Sequence, residues 1–141
     1  MAAAQNALKA GRVLHLIFLM AAFLYIWVPL SEVQAESREV PLPIVLAIAC
    51  VALSNVGLAV FFRSRHIRPS AEKLLINPDD ASAARQWRRG VILTLVFCLT
   101  IVLLGLTLRI VGLTWKIASL FYAVGILLML AWSPRLDLPA Q

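Results

Sequence analysis

The chain has 141 residues, of which 62% are hydrophobic and only 14% are charged, and its formal net charge is +6. Soluble domains are about 45–50% apolar and about 25% charged, so this composition excludes an ordinary soluble domain. A basic balance raises the question of nucleic acid. Here the positive residues sit beside apolar runs, so no nucleic-acid partner is expected.

Four apolar runs predict membrane-spanning helices at about residues 11–29, 43–62, 90–111 and 114–133. A helix needs about 20 apolar residues to cross roughly 30 Å of hydrocarbon. The fourth run reaches that length only when Thr114, Trp115 and Lys116 form its first turn. We therefore predict one all-α domain over residues 1–141, an integral membrane four-helix bundle with an inner polar segment at 63–89.

The positions of the positive charges predict the orientation of these helices. Ten of the 13 lysines and arginines precede span 1, lie between spans 2 and 3, or follow span 4. The positive-inside rule then places both termini in the cytoplasm, as for a multi-pass protein of the cell inner membrane. Six arginines are expected to contact anionic lipid headgroups on the inner face. They are Arg63, Arg65, Arg68, Arg85, Arg88 and Arg89.

The N-terminal run also resembles a secretory signal. Lys9 and Arg12 precede an apolar stretch, and Val33-Gln34-Ala35 offers small residues for cleavage near residue 35. The stretch is longer than the roughly 7–15 residues usual for a signal and contains Tyr25 and Trp27, so an uncleaved anchor ending at Pro29 is favoured. Whether residues 1–35 are removed stays open.

The polar segment between spans 2 and 3 predicts where span 3 begins. Residues 69–76 fit either a short interfacial helix capped by Ser70 or a plain loop. Asn77 suits the N-cap of the next helix and Pro78 its first position, with Asp79 and Asp80 adding negative charge at the helix start. Trp87 is expected at the membrane interface. At the other end of span 3, Gly112 is predicted to stop the helix in a left-handed conformation.

Catalytic patterns are not found in the sequence. No Asp or Glu falls inside a predicted span, which removes the buried carboxylate on which proton-coupled transporters usually rely. No Ser-His-Asp set, metal-ligand cluster or phosphate-binding glycine loop can be assembled, so we expect no enzyme activity, cofactor or metal. Cys50 and Cys98 do not form a C-x-x-C pair and are interpreted as small apolar residues at helix contacts.

Two patterns within the spans point to helix contacts. Small residues recur at helical spacing as Ala47, Cys50, Ser54 and Gly57 on span 2, and as Gly90, Thr94, Cys98 and Gly105 on span 3. Such stripes let membrane helices approach closely. Six polar residues are expected either at helix contacts or along a polar path, namely His15, Ser54, Asn55, Thr94, Thr100 and Tyr122.

The favoured function is therefore a non-enzymatic membrane protein that acts through helix–helix contacts, as a homo-oligomer or as a subunit of a larger complex. The alternative is a small oligomeric transporter or channel without a membrane-embedded carboxylate. Liposome flux and the presence of a continuous wet cavity distinguish the two.

A longer pattern, P-D-D-x-x-x-x-R-x-W-R-x-G, precedes a span that ends in L-x-L-R. Here it comprises Pro78-Asp79-Asp80, Arg85, Trp87-Arg88, Gly90 and Leu106-Thr107-Leu108-Arg109. It resembles a group of small uncharacterised four-span bacterial membrane proteins. The resemblance implies a topology and no activity.

Overall fold

The computed structural model describes residues 2–32 and 40–134, and all regular structure within them is helical. The helices are α1 (Ala2–Glu32), α2 (Leu42–Phe62), α3 (Arg68–Ile76), α4 (Ala81–Ile110) and α5 (Trp115–Ala131). A single π-helical turn, Arg63–Ile67, joins α2 to α3 and is called the π segment below. The possible cleavage site at residues 33–35 and the tail at 135–141 lie outside the described residues.

Three helical stretches are long and apolar enough to cross a membrane, at Ala3–Trp27, Leu42–Ile76 and Ala81–Ile110. The structure thus confirms an all-helical chain with candidate membrane spans. The fourth apolar helix, α5, has 17 residues and begins at Trp115, directly after Thr114. At 1.5 Å per residue it is about 25 Å long, close to the lower limit for a span.

Packing in the described residues is centred on α4, which contacts α1, α2 and α5, whereas α1 and α5 touch over a short stretch. Neighbouring pairs on α4, such as Ala83 with Ala84 and Ile101 with Val102, are both buried. Successive helical residues point about 100° apart, so burial of adjacent pairs means that a wide arc of α4 is covered. The outward sides of α1 and α2 remain apolar and exposed.

The helices alternate in direction. The amide of Ala4 near the start of α1 donates to the carbonyl of Pro78, just before α4, at 3.0 Å. Arg63 after α2 lies over the ring of Trp132 after α5, 5.8 Å from its centroid. Helices α1 and α4 therefore begin at the end where α2 and α5 finish. We call this the basic end, since it carries the π segment, α3 and the first turns of α4.

The first helix is longer than predicted at both ends. Residues 2–10 are rich in alanine, the strongest helix former, and Ala4 and Ala7 are buried against the rest of the chain. The helix also continues through Pro29 to Glu32. The prediction that Pro29 ends it was wrong: a proline removes one backbone hydrogen bond and crowds the preceding turn, but membrane helices tolerate this, and here the helix continues for three more residues.

The segment after α2 is helical throughout, so the plain-loop alternative was wrong. Ser70 is not its cap: the Ser70 hydroxyl is fully buried and donates to the carbonyl of His66 at 2.6 Å. The amide of Arg68 donates to the carbonyl of Arg63, five residues earlier. This wider turn accommodates Pro69, which has no amide hydrogen and would collide with the preceding turn of a regular α-helix.

The start of α4 is capped by Asp80 and not by Asn77. One carboxylate oxygen of Asp80 accepts from the amides of Ser82 and Ala83 at 2.8 and 3.0 Å. Asn77 instead opens the preceding turn, in which its carbonyl accepts from the amide of Asp80 at 3.1 Å. The role of Asp80 at a helix start is thus confirmed, while the predicted cap was three residues too early.

The end of α4 follows the prediction for Gly112. Its φ is 103°, a conformation that glycine adopts at little steric cost. Leu113 donates its amide to Leu108 at 3.0 Å, and Gly112 donates to Arg109 at 3.1 Å. This pair of bonds is a Schellman motif, and Leu108 and Leu113, the two positions whose apolar side chains usually accompany it, are both buried.

Candidate functional site

Trp87 holds the basic end together. Its side chain is fully buried, and a Cβ added to Gly11 of α1 would lie 2.9 Å from its six-membered ring and 3.5 Å from Pro134. The ring therefore fills the space between α1, α4 and the residues after α5. The prediction of an interfacial tryptophan missed this role, because sequence alone does not distinguish a ring facing headgroups from one facing another helix.

Gly90 lets α4 approach the π segment. A Cβ at this position would lie 2.8 Å from Cγ1 of Ile67 and 3.1 Å from Cβ of His66. The Phe62 ring stacks on His66, with centroids 5.6 Å apart and planes 16° apart. Together with the bond from Ser70 to the His66 carbonyl, these contacts hold His66 beside α4.

An open cleft of about 460 Å³ lies between the π segment and α4. We call it the arginine cleft, and it is lined by His66, Ser82, Arg85, Gln86, Arg89 and Leu93. The Arg85 Nε donates to the carbonyl of Ala81 at 3.3 Å. Within the described residues, neither Arg85 nor Arg89 forms an ion pair with a carboxylate. Two cations one turn apart with polar neighbours are suited to binding an anion.

The other four arginines expected at lipid headgroups lie outside this cleft. Arg65, Arg68 and Arg88 are exposed. Arg63 is partly buried and lines a smaller cavity of about 160 Å³ with Trp87 and Trp132. Burial lowers the pKa of Arg63, and the nearby charge of Arg68 lowers it further.

His15 lies in a separate cleft of about 320 Å³, lined by Arg12, His15, Leu16, Ser133 and Pro134. It is 7% exposed, and its Nδ1 atom has no hydrogen-bond partner among the described residues. Gly11, His15 and Ala22 share the buried side of α1. The structure does not bring His15 together with the other polar residues singled out from the sequence.

The polar side chains inside the apolar helices mostly bond to their own backbone. Each of four side chains donates a hydrogen bond to the backbone carbonyl four residues earlier. The bonds of Ser54 and Asn55 on α2 are both 2.8 Å long, and those of Thr94 and Thr100 on α4 are both 2.9 Å long. Tyr122 is buried, and its hydroxyl has no hydrogen-bond partner in the described part of the chain. These groups lie on different helices and do not form one shared site.

A groove of about 250 Å³ between α2, α4 and α5 lies among apolar side chains. Its lining residues are Ala49, Ala52, Leu53, Val56, Ile101, Leu120, Phe121 and Val124. Hydrocarbon side chains offer no hydrogen bonds to a permeating solute. The groove is therefore a packing defect or a place for an apolar chain, and not a polar path.

The two small-residue stripes face opposite ways. The stripe on α4 is internal: Cys98 is fully buried, and a Cβ on Gly105 would lie 3.0 Å from the side chains of Phe121 and Tyr122. The stripe on α2 faces outward. Its four residues are exposed, and a Cβ on Gly57 would meet no atom within 4 Å.

The contact that α2 makes with α4 was not predicted from the sequence. Ala52 and Ala59 are its buried residues, and they pack against α4. Their seven-residue spacing was the available signal. It was hidden because small residues occur on both sides of α2.

Comparisons with known proteins returned no match to a family model, a curated protein or a solved structure. Among the described residues, no group of three or more His, Cys, Asp or Glu side chains gathers to hold a metal ion.

Proposed function

We propose that the protein is a multi-pass protein of the cell inner membrane with both termini in the cytoplasm, and that it acts as a non-enzymatic interaction subunit. The alternating directions of α1, α2, α4 and α5 support four spans, with α5 as the shortest. The cluster of arginines at the basic end supports placing that end on the cytoplasmic side.

The outward stripe of small residues on α2 is the main support for the proposed contact. Ala47, Cys50, Ser54 and Gly57 leave a shallow track that is not covered by the other described helices. Close approach of backbones at small residues is a main source of helix association in membranes, where lipid is as apolar as the side chains. The track therefore supports docking of another membrane helix.

A second copy of the same helix is the simplest partner. Two α2 helices related by a two-fold axis would each place their small residues against those of the other. Such a self-complementary contact closes after two copies, which is the commonest symmetry of homo-oligomers. We therefore propose a dimer formed through α2.

The two natural cysteines make this proposal testable. Cys50 is exposed on the α2 stripe, whereas Cys98 is buried in α4. Oxidation of native membranes with a membrane-permeant catalyst should give a disulfide-linked dimer. The product should vanish in Cys50→Ser and persist in Cys98→Ser. Failure to form any Cys50-dependent dimer would count against contact through this face.

The transporter alternative has less support. A polar path needs groups that are free to exchange hydrogen bonds with a solute, yet Ser54, Asn55, Thr94 and Thr100 bond to their own helices. The groove between α2, α4 and α5 is apolar. These features favour dry helix packing over conduction.

A further inference from the structure

We propose that the arginine cleft is a binding site for the phosphate group of an anionic phospholipid. The proposal depends on the inner-membrane orientation given above, because that orientation brings the basic end to headgroup level. It does not depend on dimer formation through α2. It also differs from a general attraction of positive charge to the membrane, since it assigns different roles to neighbouring arginines.

The cleft supplies the donors that a phosphate needs. Arg85 and Arg89 are four residues apart, so their side chains leave the same face of α4. A guanidinium group binds phosphate through two parallel N–H bonds and is less costly to desolvate than an ammonium group. Ser82, Gln86 and His66 line the same space and add further hydrogen-bonding groups.

The nearby carboxylates leave this charge uncompensated. Asp80, the acid closest in sequence to the cleft residues, accepts from the amides of Ser82 and Ala83 at the start of α4. No ion pair to Arg85 or Arg89 is formed by a described carboxylate. The cations are therefore available to an external anion.

The wall opposite α4 is built by the π segment. The wide turn at Arg63–Ile67 and the close approach at Gly90 bring His66 to the edge of the cleft. The Phe62 ring and the Ser70 hydroxyl then fix its position. Single π turns inside α-helices are frequent at functional sites, and here the turn supplies a polar side chain to a cleft that α4 alone would not enclose.

The polarity along the cleft favours a lipid over free phosphate. The lining residues of α4 run from Ser82 through Arg89 to Leu93, in the direction in which α4 enters its apolar stretch. Leu93 is one turn beyond Arg89 and meets the membrane side of the cleft. A phospholipid matches this order, with its phosphate beside the arginines and its first acyl carbons beside Leu93.

The test uses the purified full-length protein in detergent micelles and a fluorescent phosphatidylglycerol as the probe. Arg89→Gln should weaken binding by about tenfold or more, as expected for loss of a charge-assisted hydrogen bond. Arg88→Gln is the matched control, because it removes the same charge from an exposed neighbour outside the cleft. Its effect should stay at or below about fivefold, as for one general surface charge.

Arg85→Gln provides a second variant in case Arg89→Gln does not fold, and circular dichroism and gel filtration check both. Equal weakening by Arg88→Gln and the cleft variants would overturn the proposal. Displacement of the probe by inorganic phosphate at the same concentration as phosphatidylglycerol would overturn the lipid assignment. Cross-linking at Cys50 should not change in these variants, so failure of the lipid site and failure of the α2 contact are distinguishable.

Discussion

Asp80 shows how one side chain begins α4, the most buried of the three long apolar helices. Its carboxylate satisfies the amides of Ser82 and Ala83, which have no partner within the helix. Asp80→Ala should lower the free energy of unfolding by about 1 kcal/mol. Denaturation in mixed micelles, followed by circular dichroism, measures this. Asn77→Ala is the control. An equal loss of unfolding free energy in Asn77→Ala would mean that Asn77 caps the helix as well.

Gly125 lies where α5 packs tightly against α4. A Cβ there would lie 2.5 Å from Cγ2 of Val102 and 3.1 Å from the carbonyl oxygen of Cys98. Gly125→Ala should therefore cost about 1–3 kcal/mol of stability through overpacking. In detergent dilute enough to keep the protein monomeric, the same experiment on Gly57→Ala should show no loss, because no atom of its own chain lies within 4 Å of that position. A neutral Gly125→Ala would mean that the two helices are not in this contact.

At the residue scale, prediction from sequence succeeded where a local backbone conformation strongly favours one residue type. A helix that stops in a left-handed conformation needs glycine, and Gly112 was identified on that basis. It failed where two residues are equally favourable as N-caps, as with Asn77 and Asp80. The choice between them depends on how the turn from α3 closes, which is set by packing beyond the local sequence.

At the scale of elements, apolar length identified the long helices, but not which faces meet. Small residues on α2 form one row that packs on α4, through Ala52 and Ala59, and another that faces away, through Cys50 and Gly57. Hydrophobic periodicity does not separate these rows, since lipid and protein interior are both apolar. The direction of each row becomes clear only from the position of α4.

The join between α2 and α3 is a second feature that the sequence left open. A proline after a stretch of mostly basic and polar residues, 63–68, fits a loop as well as a helix. The π segment resolves this by widening the turn at Pro69. The arginine cleft depends on that turn, because the turn places His66 beside α4. Arg85 and Arg89 were among the six arginines expected at lipid headgroups, but their grouping with His66 was not predicted.

At the scale of the whole molecule, the chain is a helical protein centred on α4 with two broad apolar surfaces on α1 and α2. Most charged residues of the described chain lie at the basic end, where α1, α4 and the residues after α5 meet around Trp87, while Arg109 and Lys116 lie at the other end. Such a molecule needs lipid or partner helices on its flanks. The proposed α2 contact supplies a partner on one flank, and the arginine cleft supplies a lipid at the basic end.

Energy transfer between donor- and acceptor-labelled copies in liposomes tests the α2 contact most directly. The wild-type signal should persist as the protein is diluted with lipid. Gly57→Leu should weaken dimerisation roughly tenfold, because a bulky side chain blocks the close approach of the stripe. Val13→Leu, on the exposed face of α1, should behave as the wild type. A wild-type signal no higher than random encounter, or a Gly57→Leu protein that associates as well as the wild type, would contradict the account.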